Sequence, residues 1–497
     1  MRSMFSRPFL TLPAGRWSIA AVCTVALASC LCSAATPANA QSVSPPKGFT
    51  ALFNGNDLSG WYGWGTRDPQ ELWDMTPEEQ KEYKRASIEG GLLNAKGEPD
   101  NQHINAHWRV ENGELVNDGK GLYLTTDKDY GDFELMLEYK ALPRGDSGVY
   151  LRGTPQIQIW DPAEPDPSGL GRALGSGGLW NNRKGSPGKD PLKKMDKPLG
   201  EWNQMHVTMI GESVTVVLNG ETVVDHAPLE NFFANQKSGY LAYGKPAKGE
   251  ADKDKPKLPN GYMLDPVYAK GPIQLQTHGS EIRWRNVFLR EIGFEEADER
   301  LKARSGEDFV ELINGRDLSN WQGDVDSYEV VDGSIVCRKG KSGSLLTPDE
   351  YTDFILRCEF KLPPAGNNGL ALRMPDKGNA AGDGLELQIL DSDGYNAAHP
   401  KAPLLPYQYH GSLYNCVGAK HGYLRPVGEW NYQEVEVRGQ KIKVTLNGTK
   451  ILDVDIDTFD RSQIEHPPAG LDRRTGRIGF AGHNDPVAYR SLQVKRL

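Results

Sequence analysis

The chain has 497 residues, with 57 Lys and Arg against 66 Asp and Glu, and a formal net charge of −9. A chain of this length can bury more than one sizeable hydrophobic core. Proteins that bind nucleic acid or anionic lipid carry basic patches, so the acidic balance argues against both of these partners.

The first forty residues have the pattern of an export signal. Three arginines precede an apolar run over residues 19–35, and Ala38 and Ala40 form a small-x-small cleavage site. A lipoprotein box ending at Cys30 is the alternative, but the residues after Cys30 stay apolar, which favours release after Ala40. We therefore expect a periplasmic or extracellular protein. No later stretch is apolar for long enough to span a membrane.

Most of the remaining chain consists of two similar copies. The repeated blocks, in the same order in each copy, are residues 52–61 (LFNGNDLSGW) with 312–321 (LINGRDLSNW), 108–116 (WRVENGELV) with 328–336 (YEVVDGSIV), and 147–152 (SGVYLR) with 368–373 (NGLALR). Solenoid units span only roughly 20 to 50 residues, so a repeat this long is a duplicated domain.

Short strands are predicted throughout both copies. Residues 133–140 and 354–361 alternate apolar and polar side chains, and residues 214–218 and 442–446 each end at an Asn-Gly hairpin turn. Fifty-five glycines and 33 prolines separate such runs, which is typical of an all-β sandwich or jelly roll. We expect a first sandwich over 48–292, a linker over 293–308 and a second sandwich over 309–497.

The first copy carries two long inserts. One lies between Trp61 and Trp108 and contains Thr76-Pro77 with Glu79 three residues after the threonine, a typical helix start. The other, residues 245–265, is rich in Lys, Asp and Pro and is predicted to be an exposed loop. Long ordered inserts on a sandwich often wall a binding cleft.

Three cysteines follow the leader, all in the second copy. Cys337 and Cys358 lie in strand-like segments and are able to pair in an oxidising compartment, which leaves Cys416 over. The alternative is that all three are small buried hydrophobic residues.

The repeated blocks, with residues 271–279 (GPIQLQTHG) and 285–287 (RNV), resemble the DUF1080 family. That family is also called 3-keto-disaccharide hydrolase or 3-keto-glucoside-1,2-lyase/3-keto-2-hydroxyglucal hydratase. The resemblance covers nearly all of the chain after the leader, twice. It implies two tandem concanavalin-A-like jelly-roll sandwiches, and action on glycosides already oxidised to a ketone at C3. It also implies an upstream 3-dehydrogenase as a partner.

Strand parity identifies a polar face in each copy. In the second copy Glu386 and Gln388 share one face, while Leu385, Leu387 and Ile389 take the core face. The matching residues of the first copy are Gln156, Gln158 and Trp160. The carboxylate of Glu386 is therefore replaced by the amide of Gln156.

An amide can hydrogen-bond a sugar but cannot accept a proton at working pH. If this strand carries a catalytic acid or base, only the second copy retains it. The alternative is that Glu386 merely orders a neighbouring arginine such as Arg373. Arg373 is equivalent to Arg152 in the first copy, and either guanidinium suits a carboxylate or a sugar carbonyl.

The loops after these strands supply the other candidates. His410 and Tyr414 are absent from the first copy, where Trp180 offers a stacking platform for a sugar ring. Lys420 follows closely in the second copy. A lone histidine is more often structural than catalytic, but its expected place beside Glu386 favours a function for His410.

The sequence predicts no metal and no other cofactor. Asp391 and Asp393 have acidic spacing, but the complete calcium-loop pattern is missing, and no Cys-x-x-Cys pair is present. A divalent ion that assists an enolate is an alternative without support from the sequence.

A glycosidase with two catalytic carboxylates is poorly supported, because Asp391 has the opposite parity to Glu386. Chemistry on a 3-keto sugar needs only one base and a group that stabilises the enolate. We therefore predict elimination and hydration of a 3-keto-glycoside, for which the second copy has the required residues. The predicted base is Glu386 or His410, with Arg373, Tyr414 and Lys420 as stabilisers.

The saccharide is the predicted partner. The residues predicted to bind it are Gln388, Trp430, Asn431 and His483 in the second copy, and Arg152, Gln156, Gln158, Trp160, Trp180 and His278 in the first. The alternatives are a non-catalytic saccharide-binding protein and a scaffold of the cell envelope. Which copy reacts is left open by the sequence.

Overall fold

The computed structural model describes residues 44–94, 96–237, 260 and 263–497. The predicted export signal over residues 1–40 and most of the predicted loop over 245–265 lie outside the described residues. Within the described part of the chain, no helix is both long enough and apolar enough to cross a lipid bilayer.

The first copy is built mainly from strands. Its strands are β1 (Thr50–Ala51), β2 (Trp61–Trp64), β3 (Trp108–Glu111), β4 (Glu114–Asn117), β5 (Tyr123–Thr126), β6 (Phe133–Ala141), β7 (Asp146–Leu151), β8 (Thr154–Trp160), β9 (Asn203–Ile210), β10 (Ser213–Leu218), β11 (Glu221–Pro228), β12 (Gln274–Leu275) and β13 (Ile282–Glu291). Its helices are α1 (Gln70–Trp73), α2 (Pro77–Glu89), α3 (Ile104–His107) and α4 (Phe232–Lys237).

The second copy follows a helix in the predicted linker. That helix is α5 (Phe294–Arg304), and the later helices are α6 (Ala380–Asp383) and α7 (Ser392–Ala398). The strands are β14 (Val310–Glu311), β15 (Gln322–Gly323), β16 (Tyr328–Val331), β17 (Ser334–Cys337), β18 (Ser342–Tyr351), β19 (Phe354–Lys361), β20 (Asn367–Met374), β21 (Leu385–Leu390), β22 (Trp430–Arg438), β23 (Lys441–Leu446), β24 (Thr449–Asp455), β25 (Gly476–His483) and β26 (Ala488–Arg496).

Each copy is a sandwich of two antiparallel sheets with the same strand order. In the first copy the larger sheet runs β11-β10-β9-β6-β13-β4-β3, with β1 paired to β13, and the smaller runs β2-β5-β12-β7-β8. The second copy repeats this as β24-β23-β22-β19-β26-β17-β16, with β14 on β26, and β15-β18-β25-β20-β21. The predicted all-β class with two tandem sandwiches is confirmed.

Alternation explains why these segments are strands. Along β6 every second side chain is buried, and Phe133, Leu135 and Leu137 belong to the core of the first sandwich. The hairpins form where predicted, because Asn219 and Gly220 (φ 52° and 87°) and Asn447 and Gly448 (φ 49° and 82°) adopt the left-handed backbone that a two-residue turn requires.

Helix α2 begins as the sequence predicts. The backbone N–H of Glu79 donates to the hydroxyl of Thr76 at 3.3 Å, and the N–H of Thr76 donates to the Glu79 carboxylate at 2.8 Å. This reciprocal capping box satisfies two donors that the first helical turn otherwise leaves unpaired. The helix covers the outer strand β2, where Ser87 Oγ accepts from the N–H of Gly63 at 3.0 Å.

The three cysteines of the described chain are free, buried thiols. The predicted alternative of a Cys337–Cys358 disulfide is therefore wrong. Both side chains, with Cys416, belong to the core of the second sandwich, where they pack as small apolar groups.

Helix α5 lies against both copies. Its Ala297 and Leu301 pack with Ile210 of the first copy and Tyr432 of the second. A buried ion pair reinforces the contact, since Arg425 donates to both carboxylate oxygens of Asp298 at 2.6 and 2.8 Å. The side chains are only 5% and 3% exposed, so each charge depends on the other.

Removing one charge of this pair leaves the other buried and unpaired. We expect Asp298→Asn to lower the free energy of unfolding by about 3 kcal/mol, measured by urea denaturation. The control is Asp453→Asn, because Asp453 pairs with Lys450 on the surface, with side chains 46% and 37% exposed, and such pairs contribute about 0.5 kcal/mol. Equal midpoints for the two variants would show that the buried pair does not hold α5 in place.

Candidate functional site

The polar faces predicted from strand parity exist in both copies. Leu385, Leu387 and Ile389 of β21 belong to the core, so Glu386 and Gln388 point to the opposite face of the smaller sheet. In the first copy Ile157 and Ile159 belong to the core in the same way. The matching outward residues of β8 are Gln156, Gln158 and Trp160.

Glu386 and His483 form a carboxylate–imidazole pair. Oε1 of Glu386 lies 3.0 Å from Nε2 of His483. Strand β20 lies between their strands, pairing Ala371 with Glu386 and Asn368 with Gly482, next to the histidine. The Glu386 side chain is 3% exposed and that of His483 is 40% exposed. The hydrogen bond to the carboxylate raises the pKa of His483 above its ordinary value.

Gly369 makes room for this carboxylate. A Cβ at that position of β20 would lie 2.4 Å from Oε1 of Glu386. The glycine therefore allows the Glu386 side chain to lie flat across the strand toward β25. Gly369 does not have a positive φ, so a glycine is needed here for space and not for backbone conformation.

Polar groups surround the pair. Gln388 Nε2 donates to Oδ1 of Asn367 at 2.6 Å, and the N–H of Asn367 donates to Asp485 at 3.0 Å. The negative charge of Asp485 also raises the pKa of His483. Tyr414, one of the predicted stabilisers, borders Glu386, because its backbone N–H donates to the Glu386 carbonyl at 2.9 Å.

The first copy keeps a carboxylate on this face, but on the neighbouring strand. Gln156 occupies the place of Glu386, since a Cβ at Gly148 would lie 3.0 Å from Cδ of Gln156, as one at Gly369 would meet Glu386. Asp146 of β7 is equivalent to Asn367 of the second copy. Asp146 pairs with Trp160 at the end of β8, and Asn367 pairs with Leu390 at the end of β21. Asp146 Oδ2 lies 3.1 Å from Nδ1 of His278.

The sequence comparison concerned only β8 and β21, where the first copy has Gln156 and the second has Glu386; the carboxylate of the first copy lies on the neighbouring strand β7. Sequence reasoning missed Asp146. It directly precedes residues 147–152, and Asn367 is the residue aligned with it, directly before residues 368–373. The signal was a reciprocal exchange of acid and amide between two adjacent strands. Parity along a single strand does not reveal it.

Arg172, which the sequence did not single out, joins the pair in the first copy. Its Nη2 lies 3.0 Å from Asp146 Oδ2, and its Nη1 lies 3.0 Å from Glu164. The guanidinium also lies 5.3 Å from the centre of the Trp160 ring. Gln158 donates to the other oxygen of Asp146 at 2.8 Å.

Trp160 and Trp180 meet edge to face beside this cluster, with ring centres 5.2 Å apart. Trp160 is buried rather than open to a ligand, and its Nε1 donates to the carbonyl of Gly175 at 2.9 Å. Trp180 is half-buried and carries the ammonium of Lys189 3.4 Å from its ring centre. Burial lowers the pKa of Lys189 to about 8.

The two arginines of the repeated blocks do not lie in the sites. Arg373 donates to Gln440 at 2.6 Å and to the carbonyl of Gly439 at 2.5 Å. Arg152 donates to the carbonyls of Gly131 and Tyr268 and to Asp132. Both residues are at most 2% exposed and have a positive φ of 52°. Their side chains therefore turn away from Glu386 and Asp146, the carboxylates of the two sites. Their predicted roles as a stabiliser and a saccharide ligand are corrected to structural ones.

His410 is a core residue and not a neighbour of the Glu386 carboxylate. Its Nδ1 accepts from the N–H of Leu390 at 3.3 Å, its Nε2 contacts Gln433 Oε1 at 3.0 Å, and its ring stacks on Phe360. Burial lowers its pKa to about 4, so the imidazole is neutral. The predicted role as a base is corrected, since the ring stacks on the core residue Phe360 and both of its nitrogens are engaged by Leu390 and Gln433.

Three further predicted residues lie elsewhere. Lys420 pairs with Asp265 of the first copy at 2.9 Å. Trp430 is on β22 of the larger sheet, between the cations of Lys361 and Arg490. Asn431 is buried on the same strand and accepts from the N–H of Arg425. Trp430 and Asn431 belong to a strand of the opposite sheet and therefore do not face Glu386.

The described residues contain no group of three or more His, Cys, Asp or Glu side chains placed to hold a metal ion. His103 and His107 stand four residues apart, but His103 Nδ1 contacts the Ile88 carbonyl while His107 Nδ1 contacts Asp118. The expectation about metals and cofactors stays a prediction.

The model of the 3-keto-alpha-glucoside-1,2-lyase-like domain matches residues 48–290 and 308–495. The chain belongs to this family. A 3-keto-disaccharide hydrolase of Bacteroides thetaiotaomicron is 21% identical over 270 residues, covering 49% of this chain and 78% of that protein. The family and this relative support a carbohydrate-active function.

Similar solved structures include two carbohydrate-related proteins. One, a candidate glycosyl hydrolase of Parabacteroides distasonis, is 25% identical with a TM-score of 0.35, covering 40% of this chain and 97% of its own. The other is the carbohydrate-binding module CBM66 of Bacillus subtilis, 13% identical with a TM-score of 0.23, covering 38% of this chain and 94% of its own.

Acid should destabilise the fold through His410. Its folded pKa, about 4, is below the ordinary 6.5, so the unfolded chain binds more protons between these values. Stability contributed by neutral His410 is present above pH 6.5 and falls by about 3 kcal/mol as the pH drops to 4. Urea denaturation across this range should show a shallower fall for His410→Gln. Exposed His466 provides the control, and an equal slope for His410→Gln and His466→Gln would contradict the buried neutral imidazole.

The contact across Gly369 can be tested by a single methyl group. Gly369→Ala should displace the Glu386 carboxylate, and the pKa of His483 should then fall back toward its ordinary value in an NMR titration. Gly382→Ala is the matched control, because a Cβ there meets nothing within 4 Å. An unchanged His483 titration in Gly369→Ala would mean that the pair does not form in solution.

Proposed function

We propose that the second copy cleaves 3-keto-glycosides by removing the C2 proton, eliminating the group at C1 and hydrating the product. The observation that carries this proposal is the pair of a buried Glu386 carboxylate and a half-exposed His483 imidazole at 3.0 Å. Membership of the 3-keto-alpha-glucoside-1,2-lyase-like family supports the substrate class.

His483 is the proposed base, and Glu386 positions it. Oε1 of the buried Glu386 side chain is taken up by the hydrogen bond to His483, whereas the imidazole reaches the surface. A carboxylate that accepts from Nε2–H fixes the tautomer in which Nδ1 carries the lone pair. It also stabilises the imidazolium that forms when Nδ1 takes a proton. This assigns a catalytic role to a residue that the sequence predicted only to bind saccharide.

The ketone at C3 makes the adjacent C2 proton acidic. Nδ1 of His483 takes this proton, and the C–H electron pair forms an enolate with its charge on the C3 oxygen. When the carbonyl re-forms, a double bond forms between C1 and C2, the C1–O bond breaks and the leaving group takes up a proton. Water then adds across the double bond, giving its hydroxyl to C1 and a proton to C2, so the net reaction is hydrolysis.

Tyr414 is the proposed stabiliser of the enolate. It is the member of the predicted set that borders Glu386, while Arg373 and Lys420 pair elsewhere. Its side chain is half-buried, and its hydroxyl lies 3.5 Å from the amide of Gln408. A phenol placed beside the C3 oxygen donates a hydrogen bond that strengthens as charge develops.

The substrate must be supplied by an enzyme that oxidises a C3 hydroxyl, so an upstream 3-dehydrogenase is the proposed partner. We also propose that this chain is exported and that its leader is cleaved after Ala40. N-terminal sequencing of the secreted chain should start at Gln41, whereas a lipid-modified Cys30 would place it on a membrane surface.

The reaction can be tested with a 3-keto-glucoside and its unoxidised parent. Release of the C1 group is expected from the keto sugar alone, because only the ketone acidifies the C2 proton. Glu386→Gln should lower kcat by roughly 10²-fold or more, because the proposed base His483 loses the carboxylate that fixes its tautomer and stabilises its imidazolium, with saccharide binding retained.

Glu429→Gln is a control that removes an exposed carboxylate outside the pair. Equal release from the two sugars would rule out elimination. Full activity of Glu386→Gln would remove this residue from the mechanism. Saturable binding of saccharide without any release would instead identify the protein as a saccharide-binding module.

A further inference from the structure

The two copies carry the same histidine with its carboxylate on different strands. His278 lies three residues after the end of β12, and His483 is the last residue of the equivalent strand β25; these strands pair with β7 and β20. The second copy combines Glu386 with Asn367, and the first combines Gln156 with Asp146. Each site thus has one acid and one amide, exchanged between the strands, so the first copy has its own polar centre.

The charge balance differs between these centres. Asp146 accepts from Gln158 through one oxygen, while His278 and Arg172 both lie near its other oxygen, at 3.1 and 3.0 Å. In the described part of the second copy, no lysine or arginine forms an ion pair with Glu386. The hydrogen bond to Asp146 raises the pKa of His278, as the bond to Glu386 does for His483, but in the first centre the Arg172 guanidinium offsets the Asp146 charge and opposes that rise. The first centre is therefore less suited to proton abstraction and better suited to holding a polar ligand.

Two buried amide oxygens in the first centre have no hydrogen-bond partner within the described residues. They are Oε1 of Gln156 and Oε1 of Gln276, in side chains of residues that are 5% and 7% exposed. The two residues flank Gly148, since a Cβ at Gly148 would lie 3.1 Å from Oε1 of Gln156 and the backbone N–H of Gln276 donates to the Gly148 carbonyl at 2.9 Å. Unpaired buried acceptors are costly, and a hydroxylated ligand supplies the missing donors.

The other groups around Gly148 fit the same ligand. Arg172 contributes guanidinium donors, and its 14% exposed side chain is held by Asp146 and Glu164. The half-buried Trp180 adjoins Gln156, because its backbone N–H donates to the Gln156 carbonyl at 3.1 Å, and its indole meets the Trp160 ring at 5.2 Å. A pyranose presents hydroxyl groups at its edge and C–H groups on its faces. The amide oxygens and the Arg172 guanidinium can hydrogen-bond the hydroxyls, and the Trp180 ring can pack against the C–H groups.

We propose that the first copy contains a separate, non-catalytic saccharide site at Gly148, in which Gln156 and Gln276 accept from sugar hydroxyls and Arg172 donates to the ring substituents. The site binds the glycoside whether or not C3 is oxidised, because none of these contacts requires a ketone. The protein then has one binding site and one reacting site for the same substrate class. This inference takes its substrate class from the proposed function.

The test is calorimetric titration of the full chain with 4-nitrophenyl glucoside and its 3-keto derivative, in the Glu386→Gln background to stop turnover. The unoxidised glucoside should bind, and Arg172→Gln should weaken that binding by about tenfold or more, since hydrogen bonds to charged groups are the stronger ones. Arg109→Gln should leave it unchanged, because Arg109 pairs with Glu111 and Glu281 away from this sheet.

Gln276→Leu separates binding from folding. The change removes the unpaired buried oxygen and also the amide N–H that donates to the Tyr123 hydroxyl at 3.3 Å, so it should weaken glucoside binding by about tenfold with little change in the melting temperature. A lower melting temperature with unchanged binding would show that Gln276 is a structural residue and would overturn the site.

The two proposals fail in different ways. If the unoxidised glucoside does not bind, or binds equally well to Arg172→Gln and Gln276→Leu, the saccharide site is wrong even when the wild-type chain cleaves the keto sugar. If binding depends on these residues but no C1 group is released from the keto sugar, the proposed function fails alone.

Discussion

A strand in a β-sandwich presents alternate side chains to the core and to the opposite face, and both candidate centres depend on this register. Leu385, Leu387 and Ile389 fill the core. Their burial forces Glu386 and Gln388 outward. A shift by one residue would bury the carboxylate among aliphatic side chains and expose the leucines. Packing of the core therefore fixes the position of the site.

A carboxylate that packing has buried needs a partner, and this need shapes the rest of each centre. In the second copy the partner of Glu386 is His483, and Gly369 keeps the path between them clear. In the first copy the acid is Asp146, with His278, Arg172 and Gln158 gathered around it. The equivalent histidines thus have different surroundings, because an arginine pairs with the carboxylate in the first copy only. This difference in charge is our reason for assigning the reaction to the second copy and saccharide binding to the first.

Much of the fold was predictable because its signals are local. Alternation over residues 133–140, the Asn-Gly turns at Asn219 and Asn447, and the Thr76 capping box each involve residues within a few positions of one another. The histidine and arginine assignments in the site failed for the opposite reason. His410 follows Glu386 closely in the chain, but its loop pairs along β21 and directs the ring to Phe360 in the core.

The sequence by itself determined the duplication, the sandwich class and the outward face of β8 and β21, because these follow from repeats and from the two-residue period of a strand. Only the tertiary structure decided which side chains meet across that face. Asp146 and Arg172 are 26 residues apart and His483 is 97 residues from Glu386. Their contacts depend on which strands are neighbours in the sheet and on the course of irregular loops. A periodic pattern along the chain predicts neither the order of strands in the sheet nor the course of the loops.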